Sequence, residues 1–289
     1  MNRVETITQY NELIKKYLKK NILTNQYELP QSLHPWIEDG KISYEEFEFG
    51  IIWFRQQSNV IKVTYHFREI PTYTEELLCF NIVDMPFILE LLYTHDDSMS
   101  QGIKDFFLQC GFGEYISRKR RVYKIIEQNN QEVSQSAGDK TITNDKLSYE
   151  ELSFEKLSFA NLSDIKCIEG WLIENFDPYL SCIPSLQQLE EQIKNKNYIC
   201  AYNALNQLMG FIHVEYRRGV VFIWHVVVGE AFRGQGVISR LLNDVVTYSK
   251  HQGADRIQLW VRDDNKVAQH VYEKFGFIED NYASFGMLK

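Results

Sequence analysis

Hydrophobic and polar residues follow two different periods in the second half of the chain. Alternation and short apolar runs predict strands, at Glu151–Phe159, Tyr198–Tyr202, Leu208–Tyr216, Val220–Val228, Arg256–Val261 and Tyr282–Leu288. Spacings of three and four residues predict helices, at Asp164–Glu174, Ser185–Lys194, Gln235–His251 and Asn265–Lys274. The segment Val220–Val228 is apolar on both faces, which is typical of a central strand. This order of elements predicts an α/β (α+β layered) domain, with a mixed, mostly antiparallel sheet flanked by helices.

The first half of the chain predicts a smaller α/β domain. We expect two helices followed by two strands, at Ile7–Lys20, Ser43–Gln56, Val60–Arg68 and Glu76–Val83. Residues Phe106–Phe112 and the strand after them echo Val271–Phe277 and the closing strand of the chain. We interpret residues 1–126 as a degenerate, truncated copy of the second domain, with a coincidental helix–Gly–strand match as the alternative.

A polar segment separates the two predicted domains. Residues 127–145 hold almost no large apolar side chain and no periodicity, so they cannot bury enough surface to offset the entropy of ordering them. We therefore expect a flexible linker at residues 127–149, between one domain at residues 1–126 and another at residues 150–289.

Composition and charge exclude several classes of protein. The 289 residues include 31 basic and 39 acidic side chains, a net charge of −8, which disfavours a nucleic-acid partner. We accordingly expect the basic run Arg118–Arg121 to be a solvated sheet edge. The five cysteines show no Cys-x-x-Cys spacing, which argues against a disulfide framework or a metal site and favours a reducing cytoplasm. No segment has the pattern of a signal peptide or a membrane span.

A glycine-rich turn joins the apolar strand Val220–Val228 to the long helix that follows it. Gly234 and Gly236 allow an anion to approach the main-chain N–H groups at the start of that helix. A Walker loop would continue Gly-Lys-Ser/Thr, and a dinucleotide fingerprint would have glycine in place of Ser239, so neither pattern fits. A plain strand-to-helix turn is the alternative to a phosphate loop.

Two motifs, in this order, carry a resemblance to a known family. The first is Arg233-Gly-Gln-Gly236 at the start of the long helix. The second consists of five residues along the next helix and its end: Asn265, Ala268, Tyr272, Gly276 and Phe277. Together they make residues 150–289 resemble the GNAT superfamily of acyl-CoA-dependent N-acyltransferases. One position departs from the family pattern, because Ile238 stands where the first motif ends in a small residue.

The resemblance implies acetyl-CoA as the co-substrate. Its pantetheine arm would lie where the central strand splays from its neighbour at a bulge, paired with the strand edge at Val226 and Val228. A main-chain N–H near Val227 or Val228 would stabilise the oxyanion. The remaining contacts to the cofactor would come from the two motifs: Arg233, Gly234, Gln235, Gly236, Val237, Ile238, Ser239 and Asn265.

Tyr272 is the general acid that the resemblance implies. A positioned phenol, with an ordinary pKa of about 10, can protonate a departing thiolate whose pKa is about 8.5. A core tyrosine is the alternative, because Ala268, Val271 and Phe275 lie on the same helical stripe. Asn265 has its own alternative as a helix cap.

The base that deprotonates the acceptor amine is less clearly marked. The positions at which the family often has Glu or His are Phe222 and Trp224 here, which suggests an apolar floor for the acceptor. His225 is adjacent, but strand alternation points it to the opposite face unless a bulge re-aims it. Glu215 and His213 lie on the preceding strand. His225 and Glu215 are our candidate catalytic bases, and a water relay is the alternative.

We expect an N-acetyltransferase that moves an acetyl group from acetyl-CoA to a primary amine of a small molecule or peptide. The negative net charge favours a cationic acceptor such as a polyamine or an amino sugar. The first domain would shape the acceptor site or mediate assembly, for example as a homodimer. Two alternatives stay open: a non-catalytic acyl-CoA-binding regulator, and a tandem-domain aminoacyl transferase acting on a peptide.

Overall fold

The computed structural model describes residues 1–17, 23–26, 30–57, 59–71, 85–94, 98–125 and 157–289. They form two compact units, each drawn from both halves of the chain. Unit 1 comprises Met1–Arg120, Val261–Lys266 and Asp280–Lys289, and unit 2 comprises Arg121–Trp260 and Val267–Glu279. The predicted linker at 127–149 and the predicted strand at 76–83 lie outside the described residues, as do residues 151–156 of the strand predicted at 151–159.

Strands and helices account for most of the described residues. In chain order the strands are β1 (Asn2–Arg3), β2 (Leu23–Thr24), β3 (Ile42–Phe47), β4 (Gly50–Gln57), β5 (Val60–Phe67), β6 (Phe87–Thr94), β7 (Gly113–Lys124), β8 (Tyr198–Tyr202), β9 (Leu208–Arg217), β10 (Val220–Val228), β11 (Arg256–Arg262) and β12 (Ile278–Leu288). The helices are α1 (Ile7–Tyr17), α2 (His34–Glu38), α3 (Ser98–Gln109), α4 (Ile165–Asn175), α5 (Leu186–Lys194), α6 (Val237–His251) and α7 (Lys266–Phe275). None of the described helices is long and apolar enough to cross a membrane.

Unit 1 is built on a sheet whose strands lie in the order β1-β3-β4-β5-β6-β12-β7. The last strand of the chain is therefore inserted between two strands of the first half. β3, β4 and β5 form an antiparallel meander, β5 and β6 are parallel, and β12 runs antiparallel to β6. Buried rings fill the core under α3, namely Phe49, Phe67, Phe106, Phe107 and Phe112.

The helix predicted at Ser43–Gln56 is wrong, because these residues form the hairpin of β3 and β4. Glu48 and Phe49 make the two-residue turn, and Phe47 pairs with Gly50. Gly50 has no space for a side chain, since a Cβ atom there would lie 2.3 Å from the carbonyl oxygen of His66. Residues 50–54 are buried on both faces, and a fully apolar run of this length satisfies a helical and a strand pattern equally well.

The solvated edge predicted at Arg118–Arg121 is also wrong, because β7 has a neighbour on each side, β12 and β11. Each of three arginines meets a carboxylate: Arg118 meets Glu90, Arg120 meets Asp280 at 2.5 Å, and Arg121 meets Glu273 at 3.0 Å and Glu279 at 3.4 Å. Arg121 is 5% exposed. The run is thus a set of ion pairs on a strand that has two neighbours, which the sequence alone does not distinguish from an edge.

Unit 2 contains residues 121–124 of β7 followed by β11, β10, β9 and β8. β8, β9 and β10 are antiparallel, and β10 and β11 are parallel. On one face α4 and α5 bury Leu172 and Leu189 with Phe211 and Val227. On the other face α6 covers the sheet, where Leu241 lies 3.3 Å from the Cβ position of Gly210. The predicted central strand therefore lies between two neighbours and under helices on both faces.

Several predicted elements of unit 2 are confirmed. The strands at 198–202 and 220–228 have the predicted bounds, and the helix predicted at Ser185–Lys194 is α5 with Ser185 as its N-cap. The echo between the two halves is confirmed as well. The series β6-α3-β7 repeats the series β11-α7-β12 in type and order. The fold is the expected mixed α/β arrangement. That residues 1–126 are a degenerate copy of the second domain stays a prediction.

Candidate functional site

The two parallel strands of unit 2 separate part of the way along. β10 and β11 pair from Val220 with Arg256 to Ile223 with Leu259, and this pairing then ends. The register between β10 and β9 shifts between Ile223 and His225, so Trp224 occupies a β-bulge. A bulge bends its strand and increases the local twist. The second half of β10 therefore borders a crevice on the side from which β11 has diverged.

The edge of β10 that faces this crevice belongs to Val226 and Val228. Gly229 donates its N–H to the carbonyl of Met209 on β9 at 2.9 Å. Directly opposed residues of an antiparallel pair alternate between bonded and non-bonded, so Val227 also bonds to β9. The main-chain groups of Val226 and Val228 then point away from β9, toward the crevice. An extended amide-bearing ligand could pair with them as an added strand.

The turn between β10 and α6 leaves a run of main-chain N–H groups without acceptors. Gly234 and Gly236 have φ angles of +74° and +76°, which glycine adopts at no steric cost. The first helical bond of α6 runs from the N–H of Arg240 to the carbonyl of Gly236 at 3.1 Å. Within the described part of the chain, the N–H groups of residues 234–239 have no acceptor. Such a helix start attracts anions.

The space over this turn is open. A Cβ atom built on Gly234 or Gly236 would have no atom of the described residues within 4 Å. The Gln235 amide donates back to the carbonyl of Ala231 at 2.9 Å, and the Nε atom of Arg233, which is exposed, donates to the carbonyl of Val228 at 3.4 Å. Ile238, the residue that departs from the family pattern, is half-buried. Its side chain does not remove the N–H donors that an anion would use.

Tyr272 lies on the buried face of α7. Its side chain is 8% exposed, and its ring centroid lies 5.7 Å from that of Phe277. Burial raises the pKa of the Tyr272 phenol above its ordinary value, so the hydroxyl keeps its proton at neutral pH. No described residue accepts from or donates to this hydroxyl. The Tyr272 hydroxyl therefore keeps its proton and does not donate it to any described residue.

His225 and His213 form a buried pair next to the bulge. The Nε2 atom of His225 donates to the carbonyl of Ser181 at 2.7 Å, which leaves its Nδ1 atom as an acceptor for the Nδ1–H of His213 at 3.1 Å. Burial lowers the pKa of His225 to about 4 and that of His213 to about 3. Both nitrogens of His225 are engaged within the protein, so neither is open to an amine in this arrangement.

Glu215 is held at the bulge by two donors. The indole Nε1 of Trp224 lies 3.0 Å from its Oε2, and the Nε atom of Arg217 lies 2.6 Å from its Oε1. The Glu215 side chain is 31% exposed, and Trp224 is 37% exposed. A carboxylate has lone pairs for further donors. The Trp224–Glu215 bond was not expected from the sequence, because it depends on the extra residue that the bulge inserts.

Comparison with known proteins identifies the region that contains this crevice. Residues 162–277 match the model of the acetyltransferase (GNAT) family. This segment is a GNAT acetyltransferase domain. The GNAT segment contains α4 to α7 and β8 to β11, and so the crevice, the glycine turn and Tyr272. The resemblance stated from the two motifs is thereby confirmed for the second half of the chain.

Two curated relatives match shorter stretches. An uncharacterized N-acetyltransferase of Methanocaldococcus jannaschii is 36% identical over 63 residues, which is 22% of this chain and 28% of that protein. The L-2,4-diaminobutyric acid acetyltransferase of Methylotuvimicrobium alcaliphilum is 31% identical over 71 residues, or 24% of this chain and 41% of that protein. The matches thus span less than half the length of either relative.

A solved structure shares the fold over most of the chain. The tandem GNAT protein from the clavulanic acid biosynthesis pathway superposes with a TM-score of 0.53 at 10% identity, covering 86% of this chain and 83% of that one. At such low identity the likeness concerns the fold alone. It agrees with the mixed α/β fold of the described residues.

The predicted site residues of the GNAT segment do not all fall in one unit. Residues 226–228, the turn at 233–239, Glu215, His225 and Tyr272 belong to unit 2. Asn265 is exposed, its N–H donates to the carbonyl of Arg262 at 3.1 Å, and it belongs to unit 1. A cofactor contact from Asn265 stays a prediction.

Proposed function

We propose that unit 2 transfers an acetyl group from acetyl-CoA to a primary amine. One observation carries this proposal: the edge of β10 that β11 leaves unpaired leads directly into the turn whose N–H groups at residues 234–239 have no acceptor among the described residues. A ligand that fits both features has amides near one end and phosphates near the other. The pantetheine and diphosphate of coenzyme A have this combination.

Each part of the site has a distinct task in this proposal. Val226 and Val228 pair with the pantetheine amides through their main chain, and the turn at residues 234–239 binds the diphosphate. When bound, acetyl-CoA supplies an activated thioester. The N–H of Val228 is the available donor for the oxyanion, because Val227 is paired with β9. Tyr272 protonates the departing sulfur.

Glu215 is the candidate proton acceptor for the amine. Its carboxylate lies at the bulge, has lone pairs left and reaches solvent. His225 is a poorer candidate, since its nitrogens bond to Ser181 and His213 and its pKa is lowered to about 4. An ammonium group beside the Glu215 carboxylate is attracted to it and can pass it a proton directly or through water.

The net charge of the chain and the name of one relative indicate which amines to test as acceptors. The net charge of −8 favours a cationic acceptor. One relative is named for L-2,4-diaminobutyric acid, so that diamine belongs in an acceptor panel with polyamines and amino sugars.

Thiol release tests the proposal. The full chain is incubated with acetyl-CoA and each amine of the panel, and free coenzyme A is measured with a thiol reagent. Amine-dependent release supports transfer. Calorimetric binding of acetyl-CoA without release on any amine would favour the non-catalytic regulator, and the absence of both binding and release would contradict the proposal.

A further inference from the structure

Unit 1 contains a second diverging pair of parallel strands. β5 and β6 pair at Ile61 with Phe87 and at Lys62 with Ile88, and this pairing then ends. β10 and β11 diverge in the same way in unit 2 after four pairs. In both units an antiparallel meander leads into the first strand of the pair, and a helix follows the second. Unit 1 therefore has its own copy of the crevice.

Residues of the chain itself occupy this crevice. β2 pairs antiparallel with β5, Leu23 with Phe67 and Thr24 with His66, and the hydroxyl of Thr24 donates to the carbonyl of Tyr65 at 2.6 Å. A short strand is thus added to the edge that the departure of β6 leaves free. This is the manner in which an extended ligand binds a strand edge.

Asn25 joins the two sides of the crevice. Its Nδ2 atom donates to the carbonyl of Val63 on β5 and to the carbonyl of Glu90 on β6, each at 3.2 Å. Its Oδ1 atom accepts the N–H of Tyr65 at 2.8 Å. Asn25 is 8% exposed. One buried carboxamide therefore uses both of its donors and its acceptor where the strands first separate.

Displacing these residues would be unfavourable. The carbonyl of Val63, the N–H of Tyr65 and the carbonyl of Tyr65 are the edge groups that a pantetheine arm would need, and all three already have partners in residues 24 and 25. A buried polar group that loses its hydrogen-bond partner is destabilising. An entering ligand would have to replace each of these bonds as well as order itself.

We propose that residues 23–26 are the built-in occupant of the unit 1 crevice, so that unit 1 takes no acyl-CoA and the chain binds one molecule of it, in unit 2. The occupancy of unit 1 rests on contacts within that unit. The statement that the chain binds one molecule of acyl-CoA rests in addition on the proposed function of unit 2.

Amide hydrogen exchange tests the two parts separately. Exchange is followed on the full chain, with and without acetyl-CoA, in peptides that cover residues 60–67 and 229–240. We expect slow exchange at Tyr65 that acetyl-CoA does not change, together with ligand-dependent slowing at 229–240. Ligand-dependent slowing at 60–67 would overturn the inference, because it would mean that the first crevice admits acetyl-CoA.

A matched pair of variants decides the occupancy even if acetyl-CoA changes neither peptide. Asn25→Ala removes the acceptor of the Tyr65 N–H together with both side-chain donors, and Asn175→Ala removes the same groups at an exposed position of α4. We expect the Tyr65 amide to exchange at least about tenfold faster in N25A, because its hydrogen bond is lost, and at the wild-type rate in N175A. Equal rates in N25A and wild type would overturn the inference. The absence of a ligand effect at 229–240 would instead contradict the proposed function.

Discussion

The Tyr272 side chain is buried, and its hydroxyl has no hydrogen-bond partner among the described residues. Burial disfavours the charged phenolate, so the pKa of Tyr272 lies above its ordinary value and the residue enters any reaction with its proton in place. The hydroxyl has no partner among the described residues. Removing its oxygen therefore leaves no buried group unsatisfied, and the ring can keep its contact with Phe277.

Replacing Tyr272 with phenylalanine should lower kcat by about 10²-fold, the usual contribution of a general acid, with little change in the Kd for acetyl-CoA or in Tm. Thiol release gives kcat, and calorimetry gives Kd. Tyr282→Phe is the matched control, since Tyr282 is 45% exposed in unit 1. An unchanged kcat in Y272F would remove Tyr272 from the chemistry.

Asp244 is a buried carboxyl on α6 that lowers the free energy of unfolding when it is ionised. It is 4% exposed, and burial raises its pKa to about 6, while Arg240, one turn earlier, acts to lower it. In the unfolded chain an aspartate titrates near pH 3.9. The folded state therefore holds this proton more tightly than the unfolded state, so stability falls as pH rises from about 4 to 6, and the whole penalty is present above pH 6.

Asp244→Asn should raise the free energy of unfolding at pH 7.5 by about 1–3 kcal/mol, the equivalent of a shift of about two pKa units. At pH 4 the variant and the wild type should unfold alike. Denaturant unfolding across this pH range measures both values. Asp105→Asn, at an exposed position on α3, is the control. Parallel pH profiles of D244N and wild type would contradict the assignment.

Among the elements, the turn before α6 should bind a diphosphate only if its surroundings offer both open space and no negative charge. Gly236 has a positive φ, and no atom of the part of the chain that the structure describes lies within 4 Å of its Cβ position. Asparagine and aspartate both tolerate this backbone region and have nearly the same shape. They differ in the negative charge that aspartate would place beside a bound diphosphate.

Gly236→Asp should weaken acetyl-CoA binding by about tenfold or more, as a like charge near 4 Å opposes the phosphates. Gly236→Asn should weaken it much less, although both variants carry the same backbone strain. Calorimetry at low ionic strength measures the Kd of each variant, and added salt should reduce the difference between the two Kd values. Equal losses in the two variants would mean that no anion binds at this turn.

The sequence predicts the regular elements of unit 2 well. Val220–Val228 is a run of apolar residues with a clear end at Gly229, and its bounds agree with β10. The turn was found from Gly234 and Gly236, because a positive φ next to a helix start leaves a glycine signature. Periodicity failed at residues 43–56, where the apolar run 50–54 is compatible with both a helix and a strand.

The sequence does not predict the parts of the site that depend on strand register or on contacts between residues far apart along the chain. The bulge at Trp224 leaves no pattern of its own, yet it brings the indole to Glu215. The tautomers of His213 and His225 depend on the carbonyl of Ser181, which lies 44 residues before His225 along the chain. Asn25 in the unit 1 crevice likewise bonds to residues that are distant in sequence.

At the scale of the whole molecule, neither half of the chain is a complete unit. Unit 1 includes residues 280–289, which come after the predicted linker, and unit 2 includes residues 121–125, which come before it. Within unit 2, Tyr123 packs its ring 5.6 Å from Phe275 and 5.5 Å from Phe277, near the end of the helix that carries Tyr272. The boundaries predicted at residues 126 and 150 do not reflect this exchange of segments.

Cutting the chain within residues 127–149 should therefore leave the fragments together. A protease site is placed in that segment, the purified full chain is cleaved, and the products are separated by size-exclusion chromatography. We expect the fragments to co-elute in native buffer and to separate in denaturant, because each supplies a strand to both units. Separate elution in native buffer would show that each half folds alone.

A crystal structure of the full chain with acetyl-CoA would show where the ligand binds. We expect the thioester arm along Val226 and Val228, where β10 leaves β11, and the diphosphate on the N–H groups of residues 234–239. Residues 23–26 should keep their place between β5 and β6. Acetyl-CoA bound in the unit 1 crevice or away from this turn, or no bound ligand at saturating concentration, would contradict the proposed binding site.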